Sequence, residues 1–202
     1  MRYVAQNFDH LLGTKGFSDR LLKNHFALYQ GYVANTNKLA GALTEMVNED
    51  QFATSEYAEL KRRSGWEFDG MRLHEYYFGN LAKGGKALDR GSALFEKLIS
   101  DFGSFEKWEK DFKATGTIRG IGWVVLYLDS MTNYVFNTWI NEHDVGHLAG
   151  ATPLLIMDVF EHAYLTDYDL RRADYIEAFF RAIDWVVATK RFDRAVKLSR
   201  DQ

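Results

Sequence analysis

An uninterrupted helical pattern in the first half of the chain limits the possible folds more than any other feature. From Ser18 to Asn48 no proline occurs, and apolar, aromatic and histidine side chains recur every three or four residues. Ser18 before Asp19 predicts the N-terminal cap. A helix of this length, about 45 Å, needs a partner that covers its apolar face. That face comprises Leu22, His25, Tyr29, Tyr32, Thr36, Leu39, Leu43 and Val47.

The partner is predicted to be a second helix over residues 55–81. It is followed by Gly84-Gly85, which is a typical helix stop. Two shorter helices are predicted next, over residues 92–101 and 104–114. The first half of the chain therefore reads as a helical hairpin followed by further helices.

The pattern changes to strands in the second half. Residues 122–129 are β-branched and aromatic, and residues 133–140 alternate between apolar and polar side chains. The short segment 130–133 between them suits a hairpin connection. Residues 153–157 form a third short apolar run, which predicts a buried strand.

The order of elements predicts an α+β fold. An N-terminal helical hairpin domain over residues 1–85 is followed by a C-terminal domain over residues 86–202, which has a three-stranded antiparallel sheet with helices. One amphipathic helix is expected to close the chain. Asp174-Tyr-Ile-Glu177 resembles the capping box at its start.

Composition excludes several functional classes. The 202 residues include 25 basic and 28 acidic ones, a net charge of −3, whereas nucleic-acid binders are usually strongly basic. No apolar run approaches the roughly 20 residues of a membrane helix. The absence of cysteine excludes disulfides and every thiolate site. The first residues lack a basic-then-apolar signal, so a cytoplasmic location is expected.

Four residues suggest a metal site. His25 and His74 lie on the inward faces of the two long predicted helices, and Asp158 and His162 lie four positions apart directly after the third strand. A lone buried histidine is more often a core residue, and a lone Asp often caps a turn. Together the four offer three imidazoles and one carboxylate, which suit iron or manganese, although zinc accepts the same ligands.

At this point the sequence resembles a known family. Asp158-Val-Phe-Glu-His-Ala-Tyr164 is similar to the D-x-W-E-H-A-Y signature of iron/manganese superoxide dismutases. The segments around His25 and His74, Asp101–Lys107 and Gly120–Val124 resemble further parts of that family. The resemblance extends from about residue 17 to about residue 190 and is densest in the C-terminal half.

The resemblance implies an antioxidant enzyme, a superoxide dismutase with one iron or manganese ion per subunit. It implies a homodimer or a dimer of dimers. Its expected site residues fall into four groups: the ligands His25, His74, Asp158 and His162; the catalytic pair Tyr32 and His143, with His143 in the outer sphere of the metal; the surrounding and gateway residues Tyr29, Trp123, Phe160 and Arg171; and the dimer interface Glu161, His162 and Tyr164.

Departures from the family keep alternatives open. The spacing from His25 to Tyr32 is seven residues where the family usually has eight, and Phe160 stands in place of the usual tryptophan. A non-catalytic, metal-binding dimeric relative is therefore the second hypothesis. The pair His143-Asp144 also allows an HD-type phosphohydrolase, which the strand-rich second half disfavours. His147, four residues after His143, is interpreted as a loop or interface residue.

Overall fold

Two long helices form a hairpin at the N-terminal side of the fold. The structure is a computed structural model that describes residues 2–200, in which α1 spans Asp19–Asn48 and α2 spans Ser55–Gly79. The predicted cap is present, because the Ser18 hydroxyl accepts a hydrogen bond from the Leu21 N–H at 3.0 Å. The two helices pack along their apolar faces, as the sequence predicts.

Two short helices, α3 (Ala93–Phe102) and α4 (Phe105–Gly116), follow the hairpin. Gly103 joins them with a φ of 84°, a left-handed conformation that favours glycine at a helix end. The Ser104 hydroxyl then caps α4 by accepting from the Lys107 N–H at 3.2 Å. Both helices lie within two residues of their predicted bounds.

The sheet has three antiparallel strands, β1 (Gly122–Asp129), β2 (Tyr134–Asn141) and β3 (Ala151–Asp158). Their spatial order is β2-β1-β3, so β1 is central and is buried over almost its whole length. Trp123 on β1 pairs directly with Asp158 on β3. Paired residues of an antiparallel sheet share a face, so both side chains emerge on the same side. The predicted α+β fold is confirmed.

The prediction that a single helix closes the chain is wrong. The chain instead forms α5 (Leu165–Tyr168), α6 (Arg172–Ala182) and α7 (Trp185–Arg200). The prediction of a capping box at Asp174 is also wrong, because α6 begins two residues earlier and has no side-chain cap. The break between α6 and α7 has a long-range cause. The Asp184 N–H donates to the Asn80 carbonyl at 2.8 Å, so this backbone bonds to the end of the hairpin rather than to its own helix.

Asn80 also joins the hairpin to the sheet. Its buried side-chain amide donates to the Ile156 carbonyl and accepts from the Ile156 N–H, both at 3.1 Å, along the edge of β3. One continuous apolar core includes Leu22 of α1, Leu126 of β1 and Phe179 of α6. The expected division into residues 1–85 and 86–202 stays a prediction. None of the helices within residues 2–200 has the length and apolar character that crossing a membrane requires.

Candidate metal centre

Four side chains from distant parts of the chain meet between the hairpin and the sheet. His25 lies on α1, His74 lies near the end of α2, Asp158 ends β3, and His162 lies in a short 3₁₀ turn, Glu161–Ala163. One donor atom from each lies within 4.8 Å of the others. The structure thus brings together all four residues that the sequence suggests as metal ligands.

The carboxylate of Asp158 lies at the centre of this cluster. Its Oδ2 is 3.1 Å from Nε2 of both His25 and His162, and 3.6 Å from Nε2 of His74. Its Oδ1 accepts a hydrogen bond from the Phe160 N–H at 2.8 Å, which fixes the carboxylate plane. His25, His74 and Asp158 are buried, whereas the side chain of His162 is 26% exposed.

His74 provides the test of whether a cation fits. Its Nδ1 lies 2.5 Å from the Gly70 carbonyl, which can only accept, so Nδ1 carries the proton. Nε2 then presents a lone pair to the cluster. Within the described part of the chain this buried nitrogen has no hydrogen-bond partner. An unsatisfied buried acceptor costs about 1–3 kcal/mol, and a cation between the four donors would satisfy it.

The protonation states also suit a cation. Burial lowers the pKa of His25 and of His74, so both rings are neutral near neutral pH. Burial alone would raise the pKa of Asp158, but the charge and hydrogen bonds of His162 and His25 outweigh it and hold that pKa well below its usual range. The cluster therefore offers two neutral imidazoles, those of His25 and His74, beside an ionised carboxylate and the imidazole of His162, a donor set that fits iron or manganese.

Beside the cluster lies a second hydrogen-bonded group, formed by Tyr32, Trp123 and His143. The Trp123 indole donates to His143 Nδ1 at 3.1 Å, and His143 Nε2 lies 2.7 Å from the Tyr32 hydroxyl. Since indole is only a donor, Nδ1 is an acceptor, and the neutral ring carries its proton on Nε2. Burial lowers the pKa of His143 to about 4 and raises that of Tyr32, so both stay neutral at pH 7.

Gly70 provides the space that Tyr32 occupies. A Cβ added at Gly70 would lie 2.6 Å from Cδ1 of Tyr32. No side chain fits at this position unless the tyrosine moves. Position 70 of α2 therefore leaves no room for a side chain beside the ligand cluster, whereas His143 approaches it from the loop between β2 and β3.

Aromatic rings enclose both groups. Phe160 stacks on His143 and on His162, with ring centroids 4.8 Å and 5.1 Å apart. Tyr29 lies further out, where its hydroxyl donates to Glu75 at 2.9 Å and accepts from the Gln6 N–H at 3.0 Å. Tyr29 therefore ties the N-terminal segment to α2, while its ring lies beside that of His74, with centroids 6.4 Å apart.

Comparison with known proteins agrees with this geometry. Residues 90–191 match the family described as iron/manganese superoxide dismutases, C-terminal domain. The iron superoxide dismutase of Aquifex aeolicus is 37% identical over 202 aligned residues, which cover 96% of this chain and 94% of the relative. The chain belongs to the iron/manganese superoxide dismutase family. Its resemblance to that family is therefore confirmed.

Related proteins are named as iron enzymes in some cases and as manganese enzymes in others. The manganese superoxide dismutase 2 of Haloferax volcanii is 35% identical over 175 residues, 87% of this chain and 86% of the relative. The iron superoxide dismutase of Cupriavidus metallidurans is 36% identical over 187 residues, 90% of this chain and 91% of the relative. Membership of this family rules out the hypothesis of an HD-type phosphohydrolase. In keeping with this, Asp144 does not belong to the metal-ligating group that the described residues form.

The gateway arginine that the resemblance implies does not reach the ligand cluster. Arg171 is 64% exposed on its side chain and pairs with Asp174 at 3.4 Å on the surface. Its neighbour Arg172 is anchored instead. The Arg172 guanidinium donates to the Tyr164 hydroxyl at 3.2 Å and to the Gly120 carbonyl at 2.9 Å. The sequence offered two adjacent arginines, and only these contacts distinguish them.

Trp66 is a site residue that sequence reasoning missed. Its ring packs on His143 and on Tyr32, with centroids 4.6 Å and 5.5 Å apart, and its indole donates to Glu142 at 3.1 Å. The Arg63 guanidinium lies 3.8 Å from the centre of the same ring. The only available signal was its place on the second helix, two turns before His74.

Proposed function

We propose that this protein is a superoxide dismutase with one iron or manganese ion per chain, held by His25, His74, Asp158 and His162. The observation that carries the proposal is the buried Nε2 of His74, which has no hydrogen-bond partner among the described residues and lies beside an ionised Asp158. Family membership points to the same activity. The choice between iron and manganese stays open, because relatives of either name are similarly close.

When bound, the ion would supply one-electron redox chemistry, by which two superoxide anions and two protons give one dioxygen and one hydrogen peroxide. The chain supplies charge balance. As ligands, three imidazoles and one carboxylate would cancel only one positive charge of the ion. Such a low compensating charge would keep both oxidation states of iron or manganese accessible.

Tyr32 and His143 handle protons beside the ligands. The Nε2–H of His143 donates to the Tyr32 oxygen, so the tyrosine keeps its own proton free to donate to an anion in the site. Burial raises the pKa of Tyr32, so the phenol still holds that proton at neutral pH. Because Trp123 fixes the other nitrogen of His143, the direction of this hydrogen bond is set.

Aromatic rings border the site, and one guanidinium lies beside them. Trp66 and Phe160 pack on His143 and exclude bulky reductants. The Arg63 guanidinium lies 3.8 Å from the centre of the Trp66 ring. Its positive charge would attract an anion despite the net charge of −3.

The proposal includes a homodimer or a dimer of dimers. Glu161 is exposed in the single chain and directly precedes the half-buried ligand candidate His162. A ligating imidazole usually donates its other N–H to a carboxylate or a carbonyl, and Glu161 of a second copy can supply one. Tyr164 is the third residue of the proposed interface. A cytoplasmic location remains a prediction from the sequence.

The test is metal reconstitution followed by a superoxide-removal assay. Metal-free protein is loaded with iron, manganese or zinc, and the bound metal is quantified. We expect about one ion per chain in each case and activity with iron or manganese only, because zinc has no accessible redox change. Full loading without activity for both redox metals would identify the non-catalytic, metal-binding relative instead.

A further inference from the structure

His147 lies behind the site, in the loop that carries His143, and the proposed function does not use it. Its Nε2 is 2.7 Å from the carbonyl oxygen of His143. A carbonyl only accepts, so Nε2 of His147 carries a proton and donates. The side chain of His147 therefore holds the backbone of His143 through this hydrogen bond.

The other nitrogen of His147 is tied to the sheet. Nδ1 lies 2.9 Å from the hydroxyl of Tyr127, a residue of the central strand β1. Burial raises the pKa of Tyr127 to about 12, so this phenol keeps its proton and donates it to Nδ1. Both nitrogens of His147 thus have a partner, and one of these partners belongs to the most buried strand of the fold.

A third contact links His147 to the hairpin. Asp69 of α2 places Oδ2 3.5 Å from Nε2 of His147. Asp69 directly precedes Gly70, whose carbonyl accepts from His74. His147 therefore lies where the loop, the sheet and the helix that carries a ligand candidate come together.

The loop needs such external support. Glu142 has a φ of 50°, a left-handed conformation that is unfavourable for a residue other than glycine, and Gly146 has a φ of 105°. Within the loop, the backbone closes through the Asn141 N–H, which donates to the Val145 carbonyl at 2.8 Å. Side chains of the loop also reach β1 and α2, through the Trp123–His143 and Trp66–Glu142 hydrogen bonds. His147 differs from them because it bonds to the backbone of His143 itself.

We propose that His147 is a positioning residue: its hydrogen bonds to the His143 carbonyl and to Tyr127 hold the His143 ring between Trp123 and Tyr32. This inference rests on the proposed function, since the orientation of His143 matters for activity only in a dismutase. The geometry itself does not depend on it. If the His147 contacts are lost, the His143 backbone is free to shift, and the indole of Trp123 loses its acceptor.

The experiment compares His147→Ala with His147→Gln, whose amide retains a donor, and uses His10→Ala at an exposed position as the control. The first measurement is the indole N–H signal of Trp123 in the NMR spectrum of metal-free protein, assigned with Trp123→Phe. We expect His147→Ala to move this signal towards the position of a weaker hydrogen bond. We expect His147→Gln to restore it, and His10→Ala to leave it unchanged.

The second measurement is the dismutation rate per bound metal ion. We expect about a ten-fold loss for His147→Ala with unchanged metal content, because residues behind a metal site typically contribute 10–100-fold. His147→Gln is expected to recover most of this loss. If His147→Ala does not fold, Tyr127→Phe removes only the bond to Nδ1 and should shift the same indole signal to a smaller extent.

An unchanged Trp123 signal in His147→Ala would overturn the proposal, even if activity fell. A glutamine variant as impaired as the alanine variant in both measurements would also overturn it, since donation to the His143 carbonyl would then not be the cause. The indole signal is read without metal or substrate. An inactive wild-type enzyme would therefore refute the proposed function and leave the positioning test intact.

Discussion

The Nε2 atom of His143 lies 2.7 Å from the hydroxyl of Tyr32, although 111 positions separate the two residues in the chain. Tyr32 belongs to the first helix of the hairpin and His143 to a loop between two strands. The contact therefore forms only when the hairpin has packed on the sheet. It joins the two halves of the fold at the point where the proposed chemistry takes place.

His143→Ala should retain the metal and lose activity. The variant removes the hydrogen-bond partner of Tyr32 but none of the four ligand candidates. We expect the dismutation rate per bound ion to fall about 10–100-fold, as is usual for groups outside the ligand set. Metal content is measured on the same sample, and exposed His10→Ala is the control. Unchanged turnover in a fully metallated variant would show that His143 has no part in the reaction.

Much of this arrangement could be predicted from the sequence. The hairpin follows from helical periodicity, and the strands follow from β-branched and alternating segments, because both signals are local. The one-residue shorter spacing from His25 to Tyr32 still places both residues towards the site, since two helical turns take about 7.2 residues. The resemblance around Asp158–Tyr164 then indicated which buried polar residues to bring together.

The features that the sequence did not predict depend on long-range contacts. Bonds from residues 183 and 184 to the segment after α2 interrupt the closing helix, and no local pattern encodes them. Trp66 joins the site only because the loop with His143 folds over it. Arg171 and Arg172 are alike in sequence, and the hydrogen bonds of Arg172 to Tyr164 distinguish them only in the folded chain.

Asp158→Asn should abolish tight metal binding and leave the fold intact. The amide oxygen can still accept from the Phe160 N–H, but the negative charge at the centre of the cluster is lost. Wild-type protein should gain about 2.7 kcal/mol in free energy of unfolding when the metal is at one hundred times its dissociation constant. Denaturant unfolding with and without manganese measures this gain. The variant should show none, whereas Asp193→Asn, at an exposed position, should match the wild type.

Gly70→Ala and Gly65→Ala should change stability in opposite directions, although both lie on α2. A Cβ at Gly70 meets the Tyr32 ring at 2.6 Å, whereas a Cβ at Gly65 has nothing within 4 Å. We expect Gly70→Ala to cost about 1–3 kcal/mol and to lower activity by displacing Tyr32. Gly65→Ala should add about 0.4–1 kcal/mol through reduced entropy of the unfolded chain. Urea titrations of the two variants measure both effects. A Gly70→Ala variant as stable and active as the wild type would contradict the expected clash between the new Cβ and the Tyr32 ring.

The metal-free protein should lose stability as the pH falls from about 6.5 to about 4. Burial lowers the pKa of His143 to about 4, so in this range the unfolded chain binds a proton that the folded chain does not. The contribution of His143 to the free energy of unfolding is therefore fully present above the pKa that this residue has in the unfolded chain, and it is lost on acidification. The loss from this one residue is at most about 3.5 kcal/mol, at about 1.4 kcal/mol per pKa unit.

His143→Gln isolates that contribution. It should flatten the dependence of the free energy of unfolding on pH between about 4 and 6.5, whereas His10→Gln should leave the dependence parallel to that of the wild type. Urea unfolding at several pH values measures the slopes. Equal slopes for His143→Gln and the wild type would mean that the buried ring already binds a proton in the folded state.

Glu161→Ala should weaken dimerisation and metal binding together. In the single chain Glu161 is exposed, whereas the next residue, His162, reaches the Asp158 carboxylate at 3.1 Å. If Glu161 of one copy bonds to His162 of the other, two-fold symmetry creates the pair twice, and each ligand candidate is oriented by the opposite subunit. Removing the carboxylate should therefore shift the sedimentation profile towards the monomer at micromolar concentration and lower the bound metal per chain. Glu56→Ala, at an exposed position on α2, serves as the control and should do neither. A Glu161→Ala variant that remains dimeric with full metal content would separate the ligand cluster from the interface and place the dimer contact elsewhere on the surface.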